Sequence, residues 1–282
     1  GNEAYSDVIT GIYNERSSFV EKKWQSLFDG VMRANLVIRK IAEIESMSES
    51  QKEQYVAEAK FMRALFYFEL YNFYGALPLY DESVNLSTDY NNMKKPRSTE
   101  ADVLKFILDD LDFAITTLSK DKELYRVSKW AALALKSRVC LFEGTFRKYH
   151  GIADYEKYLD ACITASDDFM KNSGYSLYKT GSTPYQTLFS SLNAIQQEIV
   201  LARDYNGTLN IRHDVQGFEN TASKGRPGLS KKIVNMYLNK NGSRFTDMQG
   251  YATKVSEQGS SFGTDHPYSR IYTSGRNETV GA

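Results

Sequence analysis

A chain of 282 residues is long enough for one large or two small domains with a sizeable core. Thirty-five Lys and Arg balance thirty-five Asp and Glu with no run of like charge, which argues against nucleic acid and anionic surfaces as partners. No stretch reaches the roughly 18–20 apolar residues that a membrane span needs, and the first residues lack the basic and apolar regions of an export signal. The chain is therefore either cytosolic or read without its targeting segment.

Taken from the N-terminus, the first clear pattern runs from Val20 to Glu45. Trp24, Leu27, Phe28, Val31, Ala34, Ile38 and Ile41 form one stripe at helical period, and the polar run 45–49 breaks it. The segment from Gln51 to Tyr74 is apolar on nearly every face, which predicts a helix in the middle of a bundle. Gly75 and Pro78 supply the stop. Glu58, Arg63 and Glu69 lie inside this helix and need partners on neighbouring helices or in a groove. After a polar loop over 79–98, Thr99-Glu100-Ala101-Asp102 reads as a capping box with Asp in place of Glu, and opens a helix through Leu118. Ser128 reads as the N-cap of a helix carrying Trp130, Leu133, Ser137, Cys140 and Leu141 on one face. A further helix runs from about Asp154 to Gly174 through Tyr158, Cys162, Ala165 and Phe169.

Beyond Gly174 the texture changes. Thr183-Pro184 opens a short helix over Leu188 and Leu192, and the apolar run 198–202 is the best strand candidate. A short helix is expected over 230–239, and from Arg244 to Ala282 no period is legible. The helices between 51 and 172 fall into antiparallel pairs with short connections, the pattern of a tetratricopeptide-like scaffold without a strict 34-residue repeat. The expected fold is mainly α: helical pairs with irregular loops and a few short strands. The expected division is a helical scaffold over 1–175 and a loop-rich, ligand-side region of the same domain over 176–282.

Catalytic and metal chemistry have no signature here. Phosphate-binding and dinucleotide glycine loops, a nucleophile elbow and H-E-x-x-H are all missing. His150, His213 and His266 lie far apart and away from either Cys, so no metal, cofactor or catalytic residue is assigned. The carboxylate pairs Asp109-Asp110 and Asp167-Asp168 sit about 100° apart on a helix and read as solvated faces. Cys140 and Cys162 read as buried free thiols that bridge only if their helices pack side by side. Twenty Tyr and fifteen Phe are a heavy aromatic load, most of it expected in helix–helix seams.

Residues 57–79, AEAKFMRALFYFELYNFYGALPL, resemble the hallmark helix of the SusD/RagB family, E-A-(K/R)-F-(L/M)-R-A-L-x-Y-F-x-L closing on (F/Y)-G-x-x-P. Trp24–Asn35, Arg126–Val139 and the stretch from Gly228 to Gly242 resemble three further family segments in the same order. The resemblance, over residues 20–245, implies a tetratricopeptide-like superhelix with its ligand site on irregular segments. It also implies a surface-exposed lipoprotein of the outer membrane that captures glycans and caps a SusC-type TonB-dependent transporter, and that is not an enzyme. Contact with the membrane would be through a lipid anchor that this chain lacks. Family members are usually much longer, so a fragment or an unusually short member is expected.

Sugars present apolar C–H faces ringed by hydroxyls, so their sites combine aromatic platforms with polar donors and acceptors. Helix aromatics are expected in the core, which leaves those in irregular segments as ligand-binding candidates. These are Tyr13 with Asn14 and Arg16, and then Tyr185, Asp204, Tyr205, Asn206, His213 and Phe218. A peptide-binding or protein-interaction scaffold is the competing reading.

Overall fold

The structure, a computed structural model, describes residues 14–84, 94–213, 233, 235–239 and 241–244. Among these residues six helices occur: α1 (Ser18–Ile41), α2 (Glu49–Tyr74), α3 (Glu100–Thr117), α4 (Lys129–Tyr149), α5 (Tyr155–Asn172) and α6 (Pro184–Ser190). The chain divides into two compact units, one of Ala4–Arg212 and the other of Gly1–Glu3 with His213–Ala282. All six helices lie in the first unit.

Each helix from α1 to α5 packs on its neighbours in sequence, giving the expected helical pairs. Helix α2 lies between α1 and α3 and also touches α4, as a segment apolar all round should. Its start is fixed by a reciprocal capping box: the Gln51 N–H donates to Ser48 Oγ at 3.3 Å, and the Ser48 N–H donates to Gln51 Oε1 at 3.0 Å. Its end is Gly75 at φ 64°, and Arg97 donates to the freed carbonyls of Tyr74 and Ala76.

The main core gathers Leu27 and Val31 from α1, Phe61, Tyr67 and Leu70 from α2, Val103, Ile107 and Leu111 from α3, and Leu135 and Val139 from α4. Aromatic edges fill the seams: Tyr67 meets Phe106 at 5.3 Å between centroids, Phe68 meets Phe142 at 5.8 Å, and Trp24 meets Tyr74 at 5.0 Å. A smaller cluster of Trp130, Leu133 and Ala165 joins α4 to α5.

Four local expectations differ. Run 198–202 is turn and bend, not strand: the Ile199 N–H turns back to the Ile195 carbonyl, and the Ala202 N–H bonds the Leu124 carbonyl as a single tie. Among the described residues pairing is limited to two isolated bridges, Asn206 with Ile211 and Leu238 with Arg244. Helix α6 stops at Ser190, which leaves Leu192 outside it and fully exposed. At the start of α3, Thr99 Oγ1 takes the Asp102 N–H but gives its own proton to the Asp102 carboxylate, which, one methylene shorter than that of Glu, is engaged there and not by the Thr99 N–H. Of the helix expected over 230–239, residue 233 is helical and residues 235 and 236 are a turn that leads into the Leu238–Arg244 bridge; residues 230–232 and 234 lie outside the described ones.

Candidate functional site

Three features define what the first unit holds apart from its apolar core. The first is buried. Arg63 is 2% exposed and grips Asp110 with two bonds, Nε to Oδ2 at 2.7 Å and Nη2 to Oδ1 at 2.8 Å. Its Nη1 reaches Asn35 Oδ1 at 2.7 Å and Glu82 Oε2 at 2.6 Å, and Lys60 adds a contact to Asp110 at 3.2 Å. These ion pairs and hydrogen bonds outweigh the desolvation that would lower the Arg63 pKa, and hold it above its ordinary value. The same cluster straps down the segment after α2. Asn35 Nδ2 donates to the Tyr80 carbonyl at 2.9 Å, the Tyr80 N–H donates to the Tyr67 hydroxyl at 2.7 Å, and Arg39 donates to the Val84 carbonyl at 3.0 Å. Asp110 therefore corrects the reading of 109–110 as a solvated pair: Asp109 meets Lys105 at the surface, whereas Asp110 faces the core. Glu58 and Glu69 find their partners in Arg126, at 2.7 Å, and Lys23, at 3.7 Å.

The second feature is an apolar groove of about 380 Å³ between α1 and α2, floored by Ala34, Ala59, Met62 and Phe66. Tyr55, with Arg126 stacked 5.0 Å above its ring, borders it.

The third is the loop-rich run after α5. Tyr185 and Phe189 stand one turn apart on α6, 75% and 69% exposed, with centroids 4.9 Å apart. Pro184 at the first helical position fixes that turn. Asp204, Tyr205 and Asn206 are consecutive. Arg203 lies 5.4 Å from the half-exposed Tyr205 ring, and Asn206 opens a tight loop by pairing both ways with Ile211 at 2.9 Å. The Asn206 side-chain carbonyl accepts the N–H groups of Thr208 and Leu209, so it is committed to the loop and only its amide NH2 remains to donate outward.

Of the remaining candidates, Asn14 and Arg16 share one turn ahead of α1, with the Arg16 N–H on Asn14 Oδ1 at 2.9 Å. His213 belongs to the second unit and is exposed. Tyr13 and Phe218 lie outside the described residues. The sequence reading missed Phe189 and Arg203. The i, i+4 spacing of Tyr185 and Phe189 was the available signal for the former. Among the described residues no group of three His, Cys, Asp or Glu is placed to hold a metal ion, and no helix is long and apolar enough to cross a membrane.

Residues 2–141 match the family described as "Starch-binding associating with outer membrane", SusD-like. Over those residues this chain belongs to the SusD-like family. A SusD-like protein of Bacteroides ovatus is 30% identical over 184 residues, which is 64% of this chain and 32% of that protein. A crystal structure with a xylogluco-oligosaccharide is 30% identical, with a TM-score of 0.54 over 65% of this chain and 35% of the other. A laminarin-binding SusD-like protein is 25% identical, with a TM-score of 0.52 over 64% of this chain and 36% of the other. The SusD-like chain thus spans about a third of the length of these relatives. Its buried cluster ties two of the matching segments together: Arg63 of the hallmark helix donates to Asn35, at the end of the Trp24–Asn35 segment.

Proposed function

We propose that this SusD-like chain captures a glycan at the outer-membrane surface and passes it to a SusC-type TonB-dependent transporter, without transforming it. The observation that carries this reading is the scaffold's likeness to two solved structures, one with a xylogluco-oligosaccharide and one of a laminarin-binding SusD-like protein. In this reading the helical pairs within 1–175 are the scaffold, and the loop-rich segment after residue 175 is the ligand side. Exposed aromatic rings with hydrogen-bonding neighbours suit a sugar's apolar face and hydroxyl rim. Tyr185 with Phe189 and Tyr205 with Asp204 and Asn206 provide that combination on the first unit. Asn14 and Arg16 are a further exposed polar pair.

Affinity electrophoresis through gels cast with laminarin or xyloglucan tests the assignment. The expected result is retardation of the wild-type chain by one of these glycans. Tyr185→Ala with Phe189→Ala, and separately Tyr205→Ala, should weaken it roughly tenfold or more, since stacked aromatic contacts contribute about 0.5–1.5 kcal/mol beyond their buried area. Retardation unchanged in all these variants would take the site away from these rings.

A further inference from the structure

Helices α4 and α5 meet along two stripes of mostly small residues, each with one leucine, whose register can be counted. On α4 the stripe is Leu133, Ser137, Cys140 and Gly144, at the 4, 3, 4 spacing of one helix face. On α5 it is Leu159, Cys162, Ala165 and Ser166. Leu133 clusters with Ala165. One turn on, Ser137 Oγ lies 2.7 Å from Ser166 Oγ and 3.4 Å from Cys162 Sγ. Two turns further, a Cβ on Gly144 would stand 2.6 Å from a Leu159 methyl and 3.2 Å from the Leu159 N, so the two backbones run very close there. The helices are antiparallel, and Cys140 falls between Ser137 and Gly144 while Cys162 falls between Ser166 and Leu159. The two thiols therefore occupy one level of the seam, on the faces that meet.

We propose that Cys140 and Cys162, both free thiols here, form a disulfide across α4 and α5 when the protein meets a small-molecule disulfide oxidant. Bridging needs Cα atoms within about 7 Å, a separation that larger residues would prevent and that a seam of Ser, Cys, Gly and Ala permits. The order of steps follows from access. Cys162 is half-buried and Cys140 fully buried, so the Cys162 thiolate attacks the oxidant R–S–S–R first, forming a mixed disulfide and releasing one thiolate RS⁻. Cys140 then loses its proton, its thiolate attacks Cys162 Sγ, and the second RS⁻ leaves. The protein has lost two hydrogens and the oxidant has become two thiols.

Burial pushes the Cys140 thiol up to about 11, opposed by Lys136 on its own helix and reinforced by Cys162, by Asp112 of α3 and by Glu143. The resolving step is accordingly slow at neutral pH and speeds up as pH rises, by about tenfold per unit.

The test treats the folded protein with oxidised glutathione, quenches in acid and measures intact mass. The wild type should pass through a transient glutathione adduct and end as a monomer two hydrogens lighter, with no thiol titratable after unfolding, and with a raised thermal midpoint. Cys140→Ala should stop at the adduct, and Cys162→Ala should stay unmodified. An adduct that persists in the wild type up to pH 9, two thiols that survive, or a disulfide-linked dimer would overturn the proposal.

Discussion

Arg63 is one buried cation shared among Asp110, Glu82 and Asn35. Removing the cation leaves Asp110, itself 2% exposed, as an uncompensated buried charge beside only Lys60. Arg63→Met should therefore cost about 3–5 kcal/mol in urea denaturation, whereas Arg63→Met combined with Asp110→Leu should recover much of it. A single-variant cost below about 1 kcal/mol would show that the cluster does not hold the helices. Glu82 adds a dependence on pH. Burial raises its pKa, but hydrogen bonding and charge from Arg63 prevail and hold it below the ordinary 4.5. A depressed carboxyl stabilises the fold above pH 4.5, and that stabilisation disappears as pH falls through the lower folded-state value. The stability gap between wild type and Glu82→Gln should thus be constant near neutrality and close as the pH is lowered below that point; equal gaps at pH 7 and pH 3 would contradict it. The need for partners was legible in the sequence, because Arg63 sits in an apolar helix. Their identity was not. Asp110 follows Asp109 in a stretch that reads as solvated, and only the packing of α3 on α2 distinguishes the two carboxylates.

At the scale of elements, two glycines set how closely paired helices approach. A Cβ on Gly30 would fall 2.6 Å from the Phe66 ring, and one on Gly144 would meet both the side chain and the backbone of Leu159. The two sites differ in what can yield. Phe66 borders the open groove between α1 and α2 and has room to swing, whereas a backbone nitrogen moves only with its helix. Gly30→Ala should be near neutral, the clash offset by about 0.8–1.0 kcal/mol of helix propensity. Gly144→Ala should lose about 1–3 kcal/mol through forced separation of α4 and α5. Thermal unfolding of the two variants checks the order, and the reverse order would contradict the packing account. Helix positions were legible because the apolar period and the stop residues agree, as at Gly75. The caps were less so, since the Ser48–Gln51 box that starts α2 lies in a stretch that reads as a polar break, and Ser128, read as the cap of α4, makes no side-chain cap bond. The run 198–202 was misread because a short apolar run reports burial and not conformation. Val200 does pack against both core clusters, but from a turn.

For the whole molecule, the order of helical pairs and the hallmark helix pointed to the family before any coordinates, since packing motifs repeat in sequence what the core requires. The proposed ligand side was far less legible. Aromatic rings in loops carry no period, and their convergence depends on loop paths that local residues do not dictate, so Tyr185 and Tyr205 are candidates by exposure and chemistry. Titration calorimetry decides whether the chain captures a glycan. The purified chain, shown folded and helical by circular dichroism, would be titrated with xyloglucan oligosaccharides, laminarin oligosaccharides and starch oligosaccharides. Saturable heat with at least one of them, diminished in the Tyr185→Ala/Phe189→Ala variant or in Tyr205→Ala, is the predicted result. A folded chain that gives no heat with any of the three would contradict it.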